Sequence, residues 1–286
     1  MSLLLLAQGI AIGLVNGALY ILTALGLTLI YGILHIVNFA HGEIYMLGAM
    51  LVYVFFVVLQ WPLALVFVAV VILATLAGLA VERGVFRNLR GQWMQLLVGS
   101  VGISLIIQSL SWIAFGAQEK NVPSVLPGVL NLAGVRLPIE RLAAAGIAHV
   151  LVAALYWLVY RTRTGLAMRA IEEDEETARM LGVNADRVAA IAVALGFVLA
   201  ALGGAFVAPI YSLNPGMGLE AILMSFIIII IGGLGSITGT VLAGLLIGML
   251  ESLGALVLGS EAAHVLVFVA MIAVLILRPQ GLLGRA

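Results

Sequence analysis

Cysteine is absent from the 286 residues, and with it go disulfides, thiol catalysis and cysteine-held metals. Charge is scarce: Asp, Glu, Lys and Arg together make up 9% of the chain, against roughly 25% in a soluble domain. Lysine occurs once, as Lys120, and Glu119 precedes it. A nucleotide-binding P-loop needs Gly-Lys-Ser/Thr so that the lysine reaches the phosphates, so this chain has no P-loop of its own. Net charge is zero, which argues against nucleic acid as a partner. Histidine is sparse and scattered, at His35, His41, His149 and His264. His41 and Glu43 lack a third candidate ligand nearby, and zinc needs three or four. Ser236 lacks the Gly-x-Ser-x-Gly frame of a nucleophile elbow. No catalytic site and no metal site is expected, and a membrane protease or transferase is the weakest of the functional classes considered.

What is present is oil. Hydrophobic residues make up 64% of the chain. Residues 1–42, 44–81, 91–118, 142–160, 188–219, 221–250 and 262–277 contain no Asp, Glu, Lys or Arg. Crossing a bilayer core takes about 20 apolar residues, so these runs predict an all-α polytopic membrane bundle. The spans are expected near 7–31, 42–60, 62–81, 94–116, 141–160, 188–209, 219–232, 239–258 and 263–278. The seventh is short, and Asn38–Gly42 reads as a break within an element, so the count is eight or nine. The whole of 1–286 is expected to form one transmembrane domain. The N-terminal segment lacks Lys and Arg, and its apolar block outruns the ~7–15 residues of a signal-peptide core, so no cleavable leader is expected.

Basic residues set the orientation. Arg83, Arg87 and Arg90 share one loop; Arg161, Arg163, Arg169, Arg179 and Arg187 share a second; Arg278 and Arg285 lie in the tail. With nine spans these fall on one face, which is expected to be cytoplasmic and to hold the C-terminus. Lys120, Arg136 and Arg141 fall on the other. The loop 117–140 lies on that outer face, too short for a domain but long enough for a lid or docking surface. No internal repeat is visible.

The segment "RTRTGLAMRAIEEDEETARMLGVNADRV", 161–188, carries most of the charge. Ala167, Ala170, Ile171, Ala178 and Leu181 recur at helical spacing, interrupted by Asp174, while Arg169, Glu172, Glu173, Glu176 and Arg179 lie mostly on the opposite side. Glu175 precedes Arg179 by four residues, the favoured order for a helical ion pair. Gly182 is placed to stop this helix and Asn184 to cap the next, from Ala185. A plain interfacial helix satisfies this pattern, and so does a helix that docks into a partner. The apolar stripe and the defined Gly-Val-Asn turn favour docking. Gly232-Gly-Leu-Gly235-Ser236-Ile-Thr-Gly239 follows no strand and precedes no lysine, so it reads as helix packing or a turn.

Asn38, His41 and Glu43 form the one polar cluster in the first eighty residues, and Glu251 is the other carboxylate inside an apolar run. Ionisable groups in the bilayer cost roughly 2.5–3.5 kcal/mol on insertion scales and usually face the bundle interior or a wet cavity. The count of residues puts this cluster near the cytoplasmic end of its span. It is read either structurally, with Asn38 capping a half-helix and Gly42 allowing close approach, or functionally, as part of a permeation path or inner gate.

The spelling of these segments adds a resemblance. Glu176-Thr-Ala178-Arg-Met-Leu-Gly182 is similar to the Glu-x-Ala-x-x-x-Gly core of the loop by which ABC importer permeases engage their ATPase, without the Ile-x-Leu-Pro ending common there. "NGALYILTALGLTLIYGILHIVNFAHGEIYMLGAM" (16–50), "RTRTGLAMRAIEEDEETARMLGVN" (161–184), "IIGGLGSITGTVLAGLLIG" (230–248) and "RPQGLLG" (278–284) resemble the branched-chain amino acid ABC permease family, and its shorter member in particular. The resemblance covers nearly the whole chain in order. It implies a bacterial inner-membrane importer in which a second, paralogous permease completes the pore. Two cytoplasmic ATPase subunits supply ATP and Mg chemistry, and a periplasmic binding protein delivers leucine, isoleucine or valine. Urea, short amides or other amino acids are the alternative cargoes, and a stand-alone secondary carrier is the alternative class. Carried onto this sequence, the coupling loop is 161–187 and its helix 166–182. Arg169, Glu172, Asp174, Glu175, Ala178 and Gly182 are its candidate residues. Asn16, Asn38, His41, Glu43 and Glu251 are the path or gate candidates. The path itself is expected to be apolar and to bind weakly, since a strong site would retain its cargo.

Overall fold

The computed structural model describes residues 3–284; Arg285, counted above among the basic tail residues, lies outside them. The chain is a helical bundle. It runs α1 (Leu3–Leu34), α2 (Ala40–Val52, continued by a π-helical turn Tyr53–Val58), α3 (Leu63–Val81, with a π turn Glu82–Phe86) and α4 (Trp93–Phe115). A two-stranded antiparallel hairpin follows, β1 (Val129–Leu132) and β2 (Val135–Pro138). Then come α5 (Ile139–Arg161), α6 (Arg163–Glu173), α7 (Glu175–Met180), α8 (Ala185–Val207), α9 (Met217–Gly232), α10 (Ile237–Leu258) and α11 (Ser260–Leu277). Eight of these elements are long and apolar enough to cross a membrane. The ninth apolar element, α9, has 16 residues and is about 24 Å long, short of a ~30 Å hydrocarbon core. All nine expected segments therefore exist, and α1 extends beyond the expected 7–31 at both ends.

The interior is built on α1 and α8. In their most apolar windows 67% and 83% of residues are buried, against 17% in α4 and 11% in α11, so the latter two present their faces outward. Helices in lipid gain little from hiding apolar surface, so close backbone contact has to hold them. Small residues make that contact here. A Cβ on Gly13 of α1 would sit 2.8 Å from the Gly248 carbonyl of α10, and one on Gly17 would sit 2.8 Å from that of Gly244. Hydroxyls bridge the same pair: Thr28 and Thr240 are 2.8 Å apart, and Ser252 Oγ donates to Gly9 O at 2.8 Å.

The two polar ends differ in charge. At one end the hairpin is tied to α1 through Gln8, which donates to Arg136 O and accepts from Arg136 N at 2.7 and 2.8 Å. The backbone of Lys120 pairs with that of Leu213. At the other end lie α6, α7, the α3–α4 turn and the C-terminal tail, whose Leu282 N donates to Ile231 O. Arg83, Arg87, Arg90, Arg161, Arg163, Arg169, Arg179, Arg187 and Arg278 all belong to this second end.

Candidate functional site

The charged loop forms two helices where the sequence predicts one. Asp174 leaves the helical region at φ −159°, ψ 104°, and its carboxylate accepts from Thr177 N at 3.0 Å and from Thr177 Oγ at 2.6 Å. An aspartate that satisfies the first free N–H groups of a new helix competes with continuing the old one. The expected helix 166–182 is thereby corrected to α6 and α7 with a corner at Asp174. Asp174 is the N-cap of α7. The Thr177 hydroxyl, and then its N–H, hold this exposed carboxyl below the usual carboxylate range. Thr162 caps α6 in the same way through Gly165 N, and Asn184 caps α8 through Arg187 N at 2.9 Å, from Ala185 as expected. Gly182 stops α7 at φ +87°, a left-handed value that glycine adopts without Cβ strain.

The corner changes which faces point where. Ile171, Ala178 and Met168 are buried under the loop. Arg169 and Glu172, expected on the solvent side, face inward. The Arg169 guanidinium lies 5.4 Å over the Tyr160 ring, and the Glu172 carboxylate abuts Gly32 at the end of α1 and Gly235 in the α9–α10 turn. Leu181, expected in the buried stripe, is 80% exposed beside Met180 at 75%. The Glu175–Arg179 pair forms as expected, with Arg179 Nη2 2.8 Å from Glu175 Oε1. Asp186 bridges Arg179 to Arg90, and Arg90 reaches buried Glu82 at 3.0 Å. This chain of charges fastens α7 and the start of α8 to the end of α3. Sequence named Arg90 only as a basic loop residue and did not single out Glu82, Tyr160 or Met180: the Arg90–Asp186 link spans 96 residues, and the surroundings of the others follow from how α3, α5 and the corner at Asp174 pack.

The second cluster lies deeper than expected. After α1, His35 adopts φ +52° and the chain doubles back, so that His41 Nε2 lies 2.9 Å from Thr23 O, eleven residues before the end of α1. His41 also meets the Phe197 ring near the middle of α8. Asn38, His41 and Glu43 therefore sit toward the bundle's centre rather than near its arginine-rich end, where they were expected. They begin a new helix; Asn38 Oδ1 accepts from Ala40 N at 3.1 Å, an Asx turn rather than the expected cap. Ser100 receives Phe39 N, and Ser104 donates to Glu43 Oε1 at 3.1 Å. Gly42 packs on Gly218 of α9, where a Cβ would fall 2.2 Å from its carbonyl. Asn38 and His41 are fully buried and Glu43 is 3% exposed, yet Asn38 Nδ2, His41 Nδ1, Glu43 Oε2 and the nearby Thr23 Oγ have no protein partner. Buried polar atoms in that state are rare and mark a strained or functional place. Asn16, two turns earlier on α1, shares no hydrogen bond with this cluster among those of the described residues. Glu251 belongs elsewhere: its Oε1 lies 3.3 Å from His264 Nδ1 of α11.

The bundle thus combines an unwound, polar break at its centre with a capped two-helix loop at its arginine-rich end. Residues 9–275 match the family described as branched-chain amino acid transport system / permease component. The chain belongs to this family. The permease is 33% identical to the high-affinity branched-chain amino acid transport system permease protein BraD of Pseudomonas aeruginosa, over 97% of this chain and 95% of that protein. It is 32% identical to LivH of Escherichia coli K12, another high-affinity branched-chain amino acid transport system permease protein, over 96% and 94%. A fructose import permease protein, FrcC of Rhizobium meliloti, is 32% identical over 39% of this chain and 33% of its own length.

Proposed function

We propose that this permease is one of two paralogous membrane subunits of an ATP-driven importer for leucine, isoleucine and valine. Cargo arrives from a binding protein on the hairpin side, and two ATPase subunits engage α6–α7 on the arginine-rich side. The full-length similarity to BraD and LivH supports the cargo. One observation carries the engagement of a partner: Met180 and Leu181 stand 75% and 80% exposed at a polar end, on a helix that is capped, glycine-stopped and ion-paired in place. Exposed apolar pairs on a rigid polar platform mark a docking site. ATP-driven closure of the ATPases would pull α7, and the pull would pass through the Asp186 bridge to α8 and through Glu172 to α1 and the α9–α10 turn. Asn38, His41 and Glu43, at the break between α1 and α2, would act as the gate on a mostly apolar path.

The test is co-purification and uptake. Met180→Ser with Leu181→Ser is expected to leave the permease in the membrane, to cut ATPase capture at least tenfold and to abolish leucine uptake. Uptake of leucine by the purified chain alone in liposomes, driven by an ion gradient, would overturn the reading in favour of a secondary carrier. The partial similarity to FrcC and the family's spread of cargoes make competition by urea, short amides and fructose the control for substrate class.

A further inference from the structure

A cavity of about 430 Å³ opens between the end of α3 and the start of α8, lined by Leu79, Arg83, Arg87, Asp186, Arg187 and Ile191 among others. Its mouth and floor differ in kind. Arg83, Arg87 and Arg187 are exposed at the mouth, while Leu79 and Ile191, one helical turn inside on either helix, line the membrane side. The carboxylates nearby are engaged elsewhere: Asp186 is held by Arg90 and Arg179, and Glu82 by Arg90 and, at 3.5 Å, Arg87. Among the described residues no carboxylate lies within 4.0 Å of the Arg83 or Arg187 guanidinium. The first turn of α8, with its positive dipole end and Arg187 N–H capped by Asn184, borders the same space.

We propose that this cavity binds the headgroup of an anionic phospholipid, with an acyl chain lying against Leu79 and Ile191. Arginine forks match phosphate oxygens, and basic pockets between spans at the positive end of a membrane protein suit such lipids. The apolar floor favours a lipid over a soluble anion, and the cavity's place at the bilayer edge favours it over a docking protein. The inference is independent of which solute is carried.

The test uses the purified full-length chain in mild detergent, with native mass spectrometry of retained lipid. Phosphatidylglycerol is expected to be retained over phosphatidylcholine. Arg83→Gln with Arg187→Gln is expected to weaken that retention by about fivefold per arginine, while Arg136→Gln at the opposite end changes nothing. Arg83→Lys with Arg187→Lys keeps the charge and is expected to restore most of the retention, which separates a lost site from a lost fold. Equal retention of the two lipids, or unchanged phosphatidylglycerol in the Gln pair, would overturn the proposal. So would displacement of the lipid by inorganic phosphate, which would point to a soluble anion. Loss of ATPase capture with lipid retention intact would overturn it too, as a protein-docking surface.

Discussion

Glu43 Oε1 takes a hydrogen bond from Ser104 while Oε2 has none, in a side chain 3% exposed. A half-satisfied buried carboxylate destabilises the fold it sits in, so its presence needs another reason. Glu43→Gln keeps an acceptor for Ser104 and removes the charge. It is expected to raise the thermal midpoint of the purified complex while lowering leucine uptake at least tenfold; a variant with full uptake would leave Glu43 a purely structural role. Gly248 poses the opposite problem at the same scale. A Cβ there would fall 2.4 Å from Gly13 O, backbone against backbone, with no side chain able to yield. Gly248→Val is expected to cost at least the ~1–3 kcal/mol typical of overpacking, seen as a lower melting temperature and poor recovery from membranes. From sequence, the glycines at 9, 13 and 17 and at 244 and 248 are visible, but nothing in the residues says that α1 must meet α10 rather than another helix.

The corner between α6 and α7 belongs to the scale of elements. Asp174→Ala removes a cap and is expected to weaken the start of α7, whereas Asp174→Asn keeps the cap without the charge. If capping is the role, ATPase stimulation survives in the Asn variant and falls in the Ala variant; survival in neither would show that the charge itself is needed. The same carboxylate sets a pH window. Its folded-state pKa is depressed, so the contribution of the cap is in place above the ordinary carboxylate value of about 4 and is lost as pH falls through the lower, folded value. Coupling measured from pH 8 down to 5 is therefore expected not to change on account of this group. The helix start at Asn184 and the stop at Gly182 were legible because each is a local rule: a side chain answering a backbone N–H three residues on, and a glycine free to take a left-handed φ. The corner was not: Asp174 was visible as an interruption of the apolar spacing, but the spacing resumes after it, and only the backbone shows that one helix ends there and another starts. The inward turn of Arg169 and Glu172 and the exposure of Leu181 follow from that corner and were lost with it.

For the molecule as a whole, the charge difference between the two ends argues for one orientation, and the cysteine-free chain is ready for the experiment. Gln118 and Glu176 are both exposed, at opposite ends. In intact cells a membrane-impermeant maleimide is expected to label Gln118→Cys and to spare Glu176→Cys until the membrane is opened. The reverse pattern would invert the topology and, with it, the sides assigned to the binding protein and the ATPases.

Residue chemistry alone determined that this is a membrane bundle, since no water-soluble core accommodates runs of thirty or more uncharged residues and a helix satisfies its own backbone in lipid. It also placed the apolar segments, leaving their number at eight or nine, and located the arginine-rich end and the capped start of α8, all of which depend on near neighbours in the chain. Tertiary structure decided what depends on distant ones. The reversal after His35 carries His41 back beside Thr23 to the bundle's centre. Asp186 joins α3 to α7, and the space between Arg83 and Arg187 exists only because α3 and α8 pack side by side. Contacts across a hundred residues are fixed by which glycine faces find each other, and a single sequence does not contain that pairing.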